Sequence, residues 1–429
     1  MANLIPFRGV LYNPAKVPDI SRVVAPPYDI IDAVFQQALH DRHANNVIRL
    51  ELGQDHAGDS PANNRYTRAA AALKEWMAHD VLQRDREPAI YPYMIDYRSP
   101  FDEPGSSTKI LKGFFSTVEL EEFGTGKIYP HENTRAAAKT DRLHLIEACS
   151  ANFSAIFSLF SDPNGAVVSL IDKSVNADKP RVNFTDDEGF RQRLWAITDK
   201  AVLNEIVAFV KATPLFIADG HHRYETALNY RNSQRGRAGS AKGPKPYDSV
   251  LMLFASLEDP GLTVLPTHRV LTTPVPALPE IMRLLGDTCA IEEVSSKDFL
   301  KTLRQRGLNA PVFGLVLKGT ASPLLLTVTP AYRPTGSSER DKLDVSLLQT
   351  LVINKLCPSE KEQHALIYTK DDREAIDLSV QGRATASLLL NPTKVTEVRA
   401  VAAAGERMPH KSTYFFPKPL TGLVMNVME

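Results

Sequence analysis

The densest chemistry in the chain lies in one short string, Ile217–Ala227, which reads IADGHHRYETA. It follows Leu215–Ala218, an apolar run that reads as a short buried strand, with Pro214 stopping the helix before it. Gly220 permits a turn that a side chain would obstruct and lets a ligand approach the backbone. A helix pattern then resumes. The first N–H groups of a helix have no partner within it, and its dipole favours negative charge there. A phosphate group is the natural occupant. His221, His222 and Arg223 would stand beside it as donors, the arginine able to grip two oxygens at once. Asp219 can orient a histidine, hold a magnesium ion or act as a base; alternatively it only caps the helix. No resident metal site is expected, because neighbouring helical histidines point in different directions and no HExxH follows.

Other residues are satellites of this string. The polar loop KIYPHENT carries His131, Glu132, Thr134 and Arg135, followed by Lys139, Asp141 and Arg142. Glu132 is a candidate general base for a substrate hydroxyl, and Arg135 and Arg142 are candidate phosphate ligands. The competing reading is a solvated loop in which Thr140 or Asp141 caps the next helix. Lys411, Ser412 and Thr413 form a basic-hydroxyl cluster of a kind that binds phosphate. Asp29, in PPYD, is either a capping residue or a member of the site rim, and Thr267–Arg269 supplies another His-Arg pair. Arg235–Lys245 reads as a loop able to close over a ligand or simply to move.

These residues need elements to hold them. Asp32 is placed to cap a helix through AVFQQALHDRH, and Val23–Ile31 reads as a strand entering a rigid turn at Pro26 and Pro27. Apolar spacing predicts helices over Tyr66–Leu82, Thr140–Cys149 and Asp199–Thr213, with another from Arg223 to Arg231 before a Gly-rich basic loop. Strands are expected at Ala89–Tyr97, Ile110–Leu120, Ala155–Ser161 and Ser249–Leu257. Three prolines within Thr272–Glu280 suggest a linker, after which further helices and strands alternate, the signature of an α/β protein.

With 429 residues the chain is too long for one ordinary core. Lys plus Arg equals Asp plus Glu at 50 each, so no global positive field steers nucleic acid. Cys149, Cys289 and Cys357 lie far apart without CxxC spacing, which suits a reducing compartment and excludes a disulfide scaffold. No apolar run is long enough for a membrane helix, and MANLIPFRGVLYNP carries no secretory pattern. A cytoplasmic location is the expectation; oligomeric state is open.

The string ADGHHRYETAL resembles the nucleotide- and phosphate-binding turn of the ParB/sulfiredoxin-like superfamily, in which a Gly-x-His-Arg core opens a helix. The chain as a whole resembles the family catalogued as domain of unknown function 1015, through RGVLYNPAKV, VVAPPYDII, HENT with KTDRL, LPTHRVL and MPHKSTYFFPKPLTGLV. Sulfiredoxins carry a cysteine where this chain has His221, so that activity is not implied. ParB-type proteins carry a helix-turn-helix, and none is evident here. The free-serine-kinase branch reads Asp-Gly-His-His-Arg, as Asp219–Arg223 does. The resemblance implies an α/β fold of mixed sheets with flanking helices. Its ParB/sulfiredoxin-like core would span 1–275 with an insertion at about 61–195, followed by a C-terminal α/β domain over 276–429. It further implies a phosphotransferase or phosphohydrolase acting on a serine- or phosphoserine-like amino acid, with Glu132, Asp219 and His222 catalytic. The partner implied is a nucleotide or small phosphorylated metabolite, and the cofactor Mg with ATP or ADP. The alternative is a non-enzymatic ParB-like nucleotide-binding regulator.

Overall fold

The computed structural model describes residues 2–99, 102, 105–132, 134, 136–238, 243–320, 322–359, 363 and 365–428. Two compact units divide the chain. One comprises 1–130, 134–263 and 417–429, the other 131–133 and 264–416. The expected boundary near 275 left the C-terminal segment in the second unit, whereas residues 417–429 belong with the first.

The first unit is organised on a nine-stranded mixed sheet. Its strands are β1 (Leu4–Ile5), β2 (Tyr91–Tyr97), β3 (Lys109–Glu119), β4 (Ile128–Tyr129), β5 (Ile156–Phe160), β6 (Val182–Thr185), β7 (Arg191–Leu194), β8 (Leu215–Asp219) and β9 (Ser249–Ser256). They lie in the order β4-β8-β5-β9-β3-β2-β7-β6, with β1 also on β3. β9 reads SVLMLFAS and is buried from Val250 to Ser256, as a strand flanked on both sides and both faces must be. It pairs in parallel with β5 and antiparallel with β3.

Helices α1 (Arg65–Ala78), α2 (Ala136–Cys149), α3 (Lys200–Ala212) and α4 (His221–Ala238) belong to this unit. Asp199 caps α3, its carboxylate accepting from the Ala201 and Val202 amides, as Asp32 caps Ala33–Arg42 through the Phe35 amide. α3 contributes Leu203, Ile206 and Val210 to the main core, and α4 contributes Tyr224, Ala227 and Leu228. Both pack there against Phe114, Ile156, Met252 and Phe254 from the sheet. A second core joins Leu73 and Trp76 of α1, Leu145 and Cys149 of α2, and Met425 from the C-terminal segment.

Three local expectations are corrected. Val23–Ile31 forms no strand: Ala25 makes an isolated bridge to Thr421, and Tyr28–Ile30 is a single 3-10 turn. α4 does not end at Arg231 but runs to Ala238, so the first residues of the expected lid are helical. Arg231 donates to the Leu120 carbonyl at 2.6 Å and Arg235 to Asp248 at 2.8 Å, anchorage that outweighs the cost of Gly236 within a helix. Residues 239–242 of that segment lie outside the described residues. Finally, β6 and β7 were not anticipated: VNFT alternates over four residues only, too short a run to stand out, and RQRL carries a single apolar residue.

The second unit carries a six-stranded sheet of β10 (His268–Leu271), β11 (Cys289–Glu293), β12 (Val312–Leu317), β13 (Leu324–Val328), β14 (Ile367–Thr369) and β15 (Ala386–Leu389). The order is β11-β13-β12-β15-β10-β14, with every pairing antiparallel. Helices α5 (Phe299–Gly307) and α6 (Asp372–Val380) supply Phe299, Leu303 and Ala375 to its core. The expected mixed α/β architecture is therefore present in both units. Among the described residues no helix is long and apolar enough to cross a membrane.

Candidate functional site

The string Asp219–Arg223 sits where β8 hands the chain to α4. The pairing of β8 with β5 shifts register between Ile217 and Asp219. Such an irregularity bends a strand and re-aims the side chain at its end. Gly220 follows with φ of +94°, in the region that L side chains rarely adopt. A Cβ there would also lie 2.9 Å from Nε of Arg223. A side chain there would therefore meet backbone strain and would have to push the Arg223 guanidinium aside.

Arg223 bends back across this glycine. Its Nη1 donates to the Ala155 carbonyl at 2.5 Å and its Nη2 to Oδ2 of Asp219 at 3.2 Å. Its Nε is buried without a hydrogen-bond partner. One guanidinium therefore joins the ends of β5 and β8 to the first turn of α4. Tyr224 locks that turn from beneath: it is fully buried, donates to the Glu121 carbonyl at 2.8 Å and accepts from the Glu121 amide at 3.0 Å. His221 is buried beside it, and His222 is half-buried.

Asp219 carries a second cation. Nζ of Lys418 lies 3.0 Å from the same Oδ2 and 3.7 Å from Oδ2 of Asp29. Burial by itself would raise the Asp219 pKa, but Lys418, Arg223 and the nearby His221 hold it well below the usual carboxylate range. Lys418 arrives on the C-terminal segment. Ala25 and Thr421 exchange backbone hydrogen bonds at 2.8 and 3.3 Å, tying that segment to the PPYD turn. Asp29, read from the sequence as a possible rim residue, is thereby grouped with Asp219. The sequence reading did not single out Lys418; its available signal was a lysine fixed between Pro417 and Pro419.

Arg142 lies among carboxylates. It is 5 % exposed and all three guanidinium nitrogens are engaged. Nε and Nη2 donate to Asp141 at 2.8 and 2.6 Å, and Nη1 to the carbonyl and carboxylate of Glu51 at 2.8 and 3.2 Å. Its guanidinium also lies over the Tyr28 ring at 4.2 Å. Arg142 and Arg223 line one cavity together with Glu51 and Ser154, but the Arg142 guanidinium is already held by two carboxylates, so it would reach a phosphate only if one of them gave way. Burial pushes the Tyr28 hydroxyl up to about 12, against the opposing pull of Arg223 and Arg142. Thr134 and Lys139 both bond Oε2 of Glu225 on α4, at 2.6 and 2.8 Å. Arg135 lies outside the described residues.

The second unit brings together the other sequence candidates. Oε1 of Glu132 lies 3.1 Å from Nδ1 of His410 and accepts from the Lys411 amide at 3.4 Å. Lys411 has φ of +58°, and its side chain is exposed. Ser412 is buried, its hydroxyl donating to the Pro409 carbonyl at 2.5 Å, and Thr413 contacts Nε2 of His131 at 3.1 Å. Arg269 is buried and donates to the Lys411 carbonyl at 3.0 Å. His268, fully buried, accepts from the Leu390 amide at 3.2 Å and faces Asp372 at 3.0 Å. That pair of contacts makes His268 a satisfied core histidine.

Among curated proteins none matches this sequence. Among solved structures, free serine kinase in complex with AMP aligns at 15 % identity and a TM-score of 0.36, covering 77 % of this chain and 96 % of that one. A point variant of free serine kinase in complex with ADP aligns at 15 % identity and a TM-score of 0.37, with the same coverage. A conserved hypothetical protein from Pyrococcus furiosus aligns at 13 % identity and a TM-score of 0.36, covering 73 % of this chain and 95 % of that one. A family model described as protein of unknown function, DUF1015, matches residues 4–346, and the chain belongs to that family.

Proposed function

We propose that the Asp219–Arg223 turn binds the phosphate groups of a nucleotide or of a phosphorylated hydroxy amino acid. On this reading the protein is a phosphotransferase or phosphohydrolase of serine- or phosphoserine-like substrates. The observation that carries it is the junction at Gly220: a strand end, a left-handed glycine and a helix start, with a guanidinium drawn across them. Helix amides and an arginine converging on one concave turn are the recurrent means of holding phosphate. Phosphoryl transfer needs positioning and charge compensation more than covalent chemistry, which is what such a turn supplies.

Of the roles expected for Asp219, that of a base fits least. A carboxylate held this far below its usual pKa is a weak base, so it serves to orient cations rather than to take a hydroxyl proton. Were magnesium to bind with ATP or ADP, it would supply neutralisation of phosphate charge, and Asp219 or Asp29 would be the residue to hold it, in competition with Lys418. His222, half-buried on the first turn of α4, is the proposed donor to the transferred group.

The test is direct. Purified protein is incubated with ATP or ADP, magnesium and a pool of hydroxy amino acids, and products are followed by mass spectrometry. Transfer or hydrolysis is expected, with His222→Ala at least tenfold slower. Equal rates for the two proteins would remove His222 from the site. If neither nucleotide nor phosphoserine raises the melting temperature of the wild type, the reading fails.

A further inference from the structure

We infer that the cavity lined by Arg223 and Glu51 binds an ordered water molecule that bridges these two residues and so braces the arginine of the Gly220 turn; the inference holds whether or not the turn takes phosphate. The cavity measures about 40 Å³, and its polar lining is Glu51, Arg142, Asn152, Ser154, Arg223 and Thr226. A water molecule's share of the liquid is roughly 30 Å³, so the space suits a single one. The charges around it are already matched. Arg142 and Arg65 face Glu51 and Asp141, while Arg223 and Lys418 face Asp219 and Asp29. The guest that such a cavity takes is therefore neutral.

Two polar atoms of the lining require a partner. Nε of Arg223 is buried and makes no hydrogen bond, although Nη1 and Nη2 are both engaged. Both hydrogen bonds to the Glu51 carboxylate fall on Oε1, from Arg142 at 3.2 Å and from Ser154 at 2.8 Å. Oε2 is left as an acceptor without a donor among the described residues, on a side chain only 4 % exposed. A buried donor or acceptor left unsatisfied loses its hydration without compensation. The two groups are neighbours in the fold: Arg223 donates to the Ala155 carbonyl, and Glu51 accepts from the hydroxyl of the preceding residue, Ser154. A buried water makes about two to four hydrogen bonds. Here it accepts from Nε of Arg223, donates one proton to Oε2 of Glu51, and has the hydroxyl oxygens of Ser154 and Thr226 in the same lining for the other.

The probe is the Nε–H proton of Arg223, read by NMR on the full chain and identified as the arginine signal missing from Arg223→Lys. Its cross-relaxation with water is measured in the rotating frame, where a bound water gives a peak of opposite sign to proton exchange. Such a peak is expected in the wild type. It should be lost in Val250→Ile and in Ala151→Val, each of which adds carbon to the cavity lining, so either variant serves if the other does not fold. Glu51→Met should lose it too, made together with Arg142→Met so that the buried pair is removed as a pair, with Asp141 keeping Arg65. Thr226→Val should retain it, although a hydroxyl whose proton exchanges with water has been removed. Absence of the peak in the wild type, or its persistence in a folded filling variant, would overturn the bound water. Loss in Thr226→Val would assign the peak to that hydroxyl, and persistence in the Glu51 variant would break the bridge. No nucleotide enters the experiment, so the reading of the turn stands or falls separately.

Discussion

Gly220 and Arg223 occupy each other's space: the position a Cβ would take at residue 220 is 2.9 Å from the arginine Nε. The left-handed φ of +94° at Gly220 and the inward fold of Arg223 are consequently parts of one arrangement. Gly220→Ala is expected to cost about 1–2 kcal/mol in backbone strain. It should also displace Arg223 from Asp219 and Ala155. Urea denaturation of the variant measures the first effect. Loss of ADP affinity beyond any loss of stability measures the second, and unaltered affinity would show that Arg223 does not contribute.

Arg142 makes the opposite prediction, a large effect on folding. Arg142→Met leaves Glu51, itself 4 % exposed, and Asp141 without their principal counter-charge. Breaking a buried pair from one side costs about 3–5 kcal/mol. Adding Glu51→Gln should recover part of that loss, because the stranded charge is removed. A destabilisation below about 1 kcal/mol in Arg142→Met would contradict the burial described here.

Asp219 should leave a mark on the acid limb of stability. Its folded pKa is depressed, so its contribution is fully present above the unfolded value, about 4, and is lost as pH falls toward the folded one. Asp219→Asn is expected to be less stable than wild type at pH 7, with the difference narrowing below about pH 4. Urea midpoints at pH 7, 5 and 3 test this; a difference that does not depend on pH would refute it.

Asp344, in the second unit, should behave in the reverse sense. Burial and the neighbouring Glu397 push its carboxyl up to about 7, with Lys394 opposing. The folded unit then holds a proton that the unfolded chain has released above about pH 4. Its contribution to stability therefore declines as pH rises from about 4 to about 7 and is level beyond. Asp344→Asn should flatten this slope and melt higher than wild type at pH 8. An identical slope in the two proteins would rule Asp344 out as its source.

Several features were legible because their causes are local. Asp199 and Asp32 cap helices whose amides lie two or three residues away, and Gly220 marks a turn that only the backbone on either side determines. The apolar runs of β5, β8 and β9 were equally plain, since continuous burial leaves continuous hydrophobicity. β6 and β7 were not legible. Their residues face partly outward, and each is four residues long, so what marks them as strands is their pairing with each other and with β2.

What the linear order of residues settled, then, is the α/β class, the family and the strand–glycine–helix junction at residues 215–223. Tertiary structure alone decided which charges belong to that junction. Arg142 was bound by Glu51 and Asp141. Lys418 was delivered to Asp219 by a C-terminal segment paired with Ala25. The reason is physical. A turn or a cap depends on neighbours a few residues away, whereas the partner of a charge depends on which counter-charges the completed fold brings within a few ångströms.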